Sequence, residues 1–126
     1  VDDEEDIRFV LRMLLERHGF EVETAEDGLD ALEKIRSQKF DLVILDILMP
    51  KMDGFQVAKR MEQMGVQTPV IMLTAKADDE SMWEGYRSGA TLYVPKPFDN
   101  KYLLDAVRYL IGDISEQERR EIERRL

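Results

Sequence analysis

Leu42-Val43-Ile44-Leu45 is an unbroken apolar run that ends in a carboxylate, Asp46. No side of such a stretch is polar, so it predicts a parallel strand buried on both faces, with the acid at its carboxyl end. Two more runs repeat the theme. Pro69 to Leu73 is capped by Thr74, and Leu92-Tyr93-Val94 is followed by Pro95 and Lys96. A buried strand has to be covered above and below, and the segments between these runs have the periodicity to do it.

Ile7, Val10, Leu11, Leu14 and Leu15 recur at helical spacing, which predicts an amphipathic helix over 5–18 ending near Gly19. Phe20 to Thr24 alternates apolar and polar residues and reads as a strand. Asp27-Gly28 breaks it before Leu29, Leu32 and Ile35 mark a second helix. Met49 to Gly54 reads as a loop, and helices are expected over 55–64, 79–88 and 99–111, the last marked by Leu103, Leu104, Val107, Leu110 and Ile111. This alternation predicts an α/β fold, a doubly wound parallel sheet with helices on both faces and its ligands at the carboxyl ends of the strands. Pro95 cannot donate to a ladder, which puts its strand at an edge.

Both ends depart from the rhythm. Val1-Asp2-Asp3 reads as the last residue of a strand and the turn after it, with the strand itself absent. Gly112-Asp113 interrupts the last core helix, and Ser115 with Glu118 forms a capping box that opens another. Residues 113–126 are therefore expected to be a polar helical tail or linker beyond a domain over 1–112. Glu116–Arg120 and Glu121–Arg125 stand at favourable spacing, but over 115–126 Ile122 and Leu126 are the only apolar residues, so this stretch should be exposed or wait for a partner.

Composition narrows the functions. The chain has 126 residues, 44% of them hydrophobic, which suits one domain with one core. A formal net charge of −9 opposes direct contact with nucleic acid or anionic lipid. There is no cysteine, which excludes disulfides and thiolate metal sites. No apolar run approaches a membrane span and no basic flank suggests a signal peptide, so the chain reads as soluble and cytoplasmic.

The chemistry-bearing residues gather where the strands end. Asp2, Asp3 and Asp46 fall on one rim, and carboxylates at 4 Å repel by about 4 kcal/mol per pair at an effective dielectric near 20. A cation has to join them. Mg²⁺ suits hard oxygen ligands and is often held by one or two carboxylates plus a phosphate. Lys96, past the edge strand, can pair with a carboxylate or a phosphoryl oxygen, and Thr74 brings a hydroxyl to the same rim.

Taken in order, Val1-Asp2-Asp3, then Leu45-Asp46-Ile47-Leu48-Met49-Pro50 with Met52-Asp53-Gly54, then Leu73-Thr74-Ala75, then Tyr93-Val94-Pro95-Lys96-Pro97-Phe98, resemble the motifs of bacterial response-regulator receiver domains over residues 1 to about 112. The resemblance implies a flavodoxin-like five-stranded sheet of order 2-1-3-4-5, whose first strand, central in the sheet, is largely missing from this chain. Because losing about five buried residues would rival the roughly 5–15 kcal/mol that holds a domain together, the natural protein is expected to begin upstream of Val1. It implies that Asp46 accepts a phosphoryl group from a histidine kinase or phosphotransfer protein, that Asp3, Asp46 and the backbone carbonyl of Leu48 bind Mg²⁺, and that Asp2 holds the metal through water. Thr74 and Lys96 would contact the phosphoryl group. Thr74 would be drawn toward it and Tyr93 would swing inward behind, altering the surface of the last two receiver helices and the edge strand, through which a homodimer or other partner would associate. The tail reads equally as a solvated helix and as either a linker to an output domain after residue 126 or a short coiled-coil partner; a cis peptide is expected at Lys96-Pro97, and an influence of Leu48 and Lys76 on phosphoryl lifetime.

Plainer readings stand beside these. Asp2 and Asp3 alone would be an acidic helix start, Tyr93 a core aromatic as readily as a switch, and His18 a partner of its helix's C-terminal dipole. Two rival functions remain: a metal-dependent phosphohydrolase, which typically wants a second acid two residues after its nucleophile, where Leu48 stands here, and a docking module indifferent to phosphorylation.

Overall fold

The computed structural model describes every residue except Ala77, Asp113 and Leu126, and Arg125 without its side chain. Three parallel strands form the sheet: β1 (Val43–Leu45), β2 (Val70–Thr74) and β3 (Leu92–Pro95), in spatial order β1-β2-β3. Val43 pairs with Val70, and Thr74 pairs with Pro95 at the far end, so the carboxyl ends of all three strands share one rim. Among the described residues six helices accompany them: α1 (Glu5–Arg17), α2 (Gly28–Ser37), α3 (Gly54–Gln63), α4 (Asp79–Arg87), α5 (Asn100–Ile111) and α6 (Glu116–Arg125). None is long and apolar enough to cross a membrane.

Strand β2 explains why the sheet needs cover on both sides. Val70 and Met72 pack with Leu32 of α2 and Val57, Ala58 and Met61 of α3, while Ile71 and Leu73 pack with Leu11 and Leu15 of α1 and with Leu103, Ala106 and Val107 of α5. The alternation of side chains along a strand delivers one core to each face. Strand β3 has β2 as its sole ladder partner among the described residues, the edge position that Pro95 required.

The strand expected at Phe20–Thr24 does not form. The segment joins no ladder, because a strand is defined by its neighbour and none lies beside it. What stands between this segment and β1 is the very start of the chain. The Asp2 N–H donates to the Ala25 carbonyl at 3.1 Å, the Asp46 N–H donates to the Val1 carbonyl at 3.0 Å, and the Val1 amine donates to the Ile44 carbonyl at 2.6 Å. Below this last rung a cleft of about 690 Å³ opens, lined by Leu11, Leu15, Phe20, Val22, Ile44 and Val107 among others. The ladder of β1, β2 and β3 thus corresponds to the last three strands of the expected order 2-1-3-4-5.

The tail is also less solvated than its composition suggests. Helix α6 lies against α5, with Ile122 only 2% exposed, an ion pair of 3.1 Å between Arg108 and Glu118, and the Arg119 guanidinium 5.1 Å from the centre of the Tyr109 ring. One apolar side chain flanked by arginine contacts is enough to seat a single-sided helix. The Ser115 hydroxyl accepts from the Glu118 N–H at 3.1 Å, capping the helix start. The pairing of Glu121 with Arg125 and the position of Leu126 lie outside the described residues.

Candidate functional site

The site is built where β1 stops. Asp46 follows the strand directly, and its carboxylate faces the rim with only 5% of the residue exposed. The chain then has to turn back sharply into α3. Gly54 permits this, because a Cβ there would stand 2.3 Å from the Asp46 carbonyl oxygen and 2.8 Å from the Ile47 Cα. Its N–H donates to Ile47, and a reciprocal capping box between Asp53 and Gln56 starts the helix, so the loop Ile47–Asp53 is held at both ends.

Lys96 reaches the same point from the end of β3. Its ammonium donates to Asp2 at 2.7 Å and to Asp46 at 2.9 Å. Asp2 is 1% exposed, its other carboxylate oxygen accepts from the Glu4 N–H at 2.9 Å, and Arg8 donates to its backbone carbonyl at 2.7 Å. Burial alone would push the Asp46 carboxyl up, but the Lys96 ammonium, the Thr74 hydroxyl and the Leu48 N–H together hold it below the ordinary carboxylate range. For Lys96, burial works downward and the two carboxylates more than offset it, leaving a pKa above the usual lysine value. Asp46 is therefore an ionised carboxylate near neutral pH.

Asp3 is exposed on the solvent side of the pair, and one carboxylate oxygen from each of Asp2, Asp3 and Asp46 lies within 4.8 Å of the others. Three carboxylates bring more negative charge than one lysine offsets, and the donor set is all oxygen. This fits a hard divalent cation such as Mg²⁺. Thr74, fully buried at the end of β2, accepts from the Lys76 N–H at 3.2 Å, and its carbonyl accepts from the Lys96 N–H at 2.8 Å. Leu48 lies half-exposed at the mouth with its N–H on Asp46 at 3.2 Å.

Tyr93 points inward. Its ring is buried, its hydroxyl donates to the Lys76 carbonyl, and burial with the nearby charges of Asp78 and Asp46 pushes its pKa up to about 12. The Lys96-Pro97 peptide is cis. His18 caps α1 with a ring nitrogen 2.9 Å from the Leu14 carbonyl, well away from the rim.

The sequence model of the response regulator receiver domain matches residues 1–108. The chain belongs to this family. A curated relative, the transcriptional regulatory protein SrrA of Staphylococcus aureus, is 41% identical over 111 residues, which are 88% of this chain and 46% of the relative. The receiver thus spans about half the length of such relatives. Among solved structures, the receiver domain of Francisella response regulator 1452 superposes with a TM-score of 0.85 at 32% identity, covering 89% of this chain and 93% of that one. Vibrio cholerae chemotaxis protein CheY4 gives 0.81 at 39% identity, with 86% and 92% covered. Thermotoga maritima response regulator TrrA, solved in complex with Mg(2+)-BeF, gives 0.78 at 38% identity, with 86% and 93% covered.

Sequence reasoning missed three contributors to this receiver site. Arg8 holds Asp2 through the backbone, a contact that no spacing rule signals. Gly54 was visible as part of a motif but without its reason. Gly85 on α4 gave no signal in the sequence, although it lies against Tyr93.

Proposed function

We propose that this receiver is the phosphoacceptor of a two-component pathway, in which Asp46 takes a phosphoryl group from a histidine kinase or phosphotransfer protein. The observation that carries the reading is the ionised, buried Asp46 carboxylate bonded to Lys96 beside Asp2 and Asp3. An Asp46 carboxylate oxygen attacks the phosphorus of a phosphohistidine. The new P–O bond forms as the P–N bond breaks, and the electron pair leaves with the partner's imidazole nitrogen. Asp3, Asp46 and the Leu48 carbonyl would hold Mg²⁺, with Asp2 reaching it through water, and the bound ion supplies neutralisation of the charge on the transferring oxygens. Lys96 is placed to follow that charge from carboxylate to phosphoryl oxygen, which needs no acid/base histidine.

Thr74 is the second phosphoryl contact in this reading, and Tyr93 the residue that fills the space behind it. The two together bias the face made by α4, β3 and α5, where Trp83 and Tyr86 are exposed. Homodimerisation or partner docking through that face is the output, with any contact to DNA left to a domain beyond this segment, since a charge of −9 opposes it here. A hydrolase would want an acid at the position of Leu48.

Intact mass after incubation with acetyl phosphate tests the acceptor chemistry. One added phosphoryl group that disappears with a chelator and in Asp46→Asn is the expected result, and addition in Asp46→Asn at the wild-type level would contradict it.

A further inference from the structure

Gly85 lies in the body of α4, with helical backbone angles that any residue adopts. An internal helical glycine costs about 1 kcal/mol relative to alanine, so the helix itself gives no reason for it. The reason lies across the gap to β3. A Cβ at Gly85 would stand 3.0 Å from both Cδ2 and Cε2 of Tyr93, and 3.7 Å from Cε1 of Phe55. The ring has little room to give way. It is 4% exposed, its hydroxyl is tied to the Lys76 carbonyl, and Tyr86 packs beside it with ring centres 6.4 Å apart.

We propose that Gly85 is a positioning residue that keeps open the inward seat of Tyr93, and so sets how readily the receiver adopts its phosphorylated conformation. The proposal rests on the Thr74/Tyr93 switch reading given above. Binding at Asp46 that favours an inward Tyr93 is linked to the seat: whatever crowds the seat lowers the fraction of molecules with Tyr93 inward and weakens binding at Asp46 in proportion. A side chain at residue 85 therefore changes a site it does not touch, and does so through Tyr93 alone.

The test uses the chain labelled with 3-fluorotyrosine, its Tyr93 ¹⁹F signal assigned by loss in Tyr93→Phe, and titrated with beryllium fluoride in the presence of Mg²⁺. In the wild type the Tyr93 signal moves as the phosphoryl mimic binds. In Gly85→Ala the unliganded signal is displaced and the binding midpoint rises about fivefold or more. In a Tyr93→Ala background, with binding followed by Trp83 fluorescence, adding Gly85→Ala leaves the midpoint unchanged. Equal midpoints and Tyr93 signals in wild type and Gly85→Ala would overturn the proposal, as would a shift of the same size without Tyr93. A mimic that binds the wild type without moving the Tyr93 signal would instead sink the switch reading, and this proposal with it. If Gly85→Ala fails to fold, folding restored by Tyr93→Ala supports the crowded seat, and folding that stays lost overturns it.

Discussion

The Lys96 ammonium donates to the Asp46 carboxylate at 2.9 Å across fifty residues of chain, at a rim where both side chains are largely hidden from water. The same ammonium holds Asp2, so a single positive charge ties the end of β3 to the end of β1 and to the start of the chain. Removing it strands two buried carboxylates, and an uncompensated buried charge is costly.

Lys96→Met should therefore lower stability by about 3 kcal/mol at pH 7 in the absence of divalent cations. Added Mg²⁺ should return part of the loss, because a cation at the rim takes over some of the neutralisation. Urea midpoints with and without Mg²⁺ read both effects, and a variant as stable as the wild type would show that the pair contributes little.

The pH dependence follows from the same site. The folded pKa of Asp46 is held below its unfolded value, so its contribution is complete above the unfolded carboxylate range near pH 4 and is lost as pH falls through the depressed folded value. Asp27, which accepts the Asp30 N–H, and Asp78, which accepts the Ser81 hydroxyl and then its N–H at a helix start, shift in the same direction. Stability measured from pH 6 to pH 2 should fall most steeply below about pH 4, and Asp46→Asn should flatten part of that fall. Lys96 has the opposite sign: its raised pKa gives stability that persists below the unfolded lysine value and is lost only in strong alkali.

A divalent cation that binds the folded rim must raise the melting temperature by mass action. Mg²⁺ at increasing concentration should stabilise the wild type progressively, and Asp3→Ala should remove most of the response without unfolding the chain, since Asp3 is exposed. Melting curves that ignore Mg²⁺ in the wild type would contradict the assignment of the three carboxylates.

Lys51 sits at φ 68°, a left-handed angle that a non-glycine residue adopts at a cost. Its ion pair with Asp27 at 3.3 Å is made by a mostly exposed lysine and is worth little. Lys51→Gly should leave the urea slope unchanged and raise the midpoint by the equivalent of about 0.5–1 kcal/mol of stability, as strain relief outweighs the added chain entropy. A destabilised variant would mean that the Asp27 contact matters more than the backbone angle.

The parts of this fold legible in the sequence are those whose signal is local. Val43–Leu45 and Val70–Thr74 announce themselves because a strand covered on both faces has no polar positions, and the helices because their buried faces repeat. Phe20–Thr24 carries an equally good alternating pattern, yet forms no ladder, since pairing depends on a neighbour and not on the segment's own residues. Ile122 shows the converse: one apolar residue in a charged helix carries no periodicity, but a flanking ion pair and a cation–π contact suffice to bury it. At the site, strand-end position was enough to gather Asp2, Asp46, Thr74 and Lys96 on one rim. It could not distinguish Asp2, buried on Lys96, from exposed Asp3, nor show that Tyr93 already lies inward against a glycine on the preceding helix.

The most direct measurement of the central claim locates the phosphoryl bond. After phosphorylation in Mg²⁺, borohydride reduces an aspartyl phosphate to homoserine, which peptide sequencing by mass spectrometry assigns to one position. Homoserine at residue 46, absent when Mg²⁺ is chelated, is the predicted result. A phosphorylated chain whose modification maps to any other residue, or resists borohydride altogether, would contradict Asp46 as the acceptor.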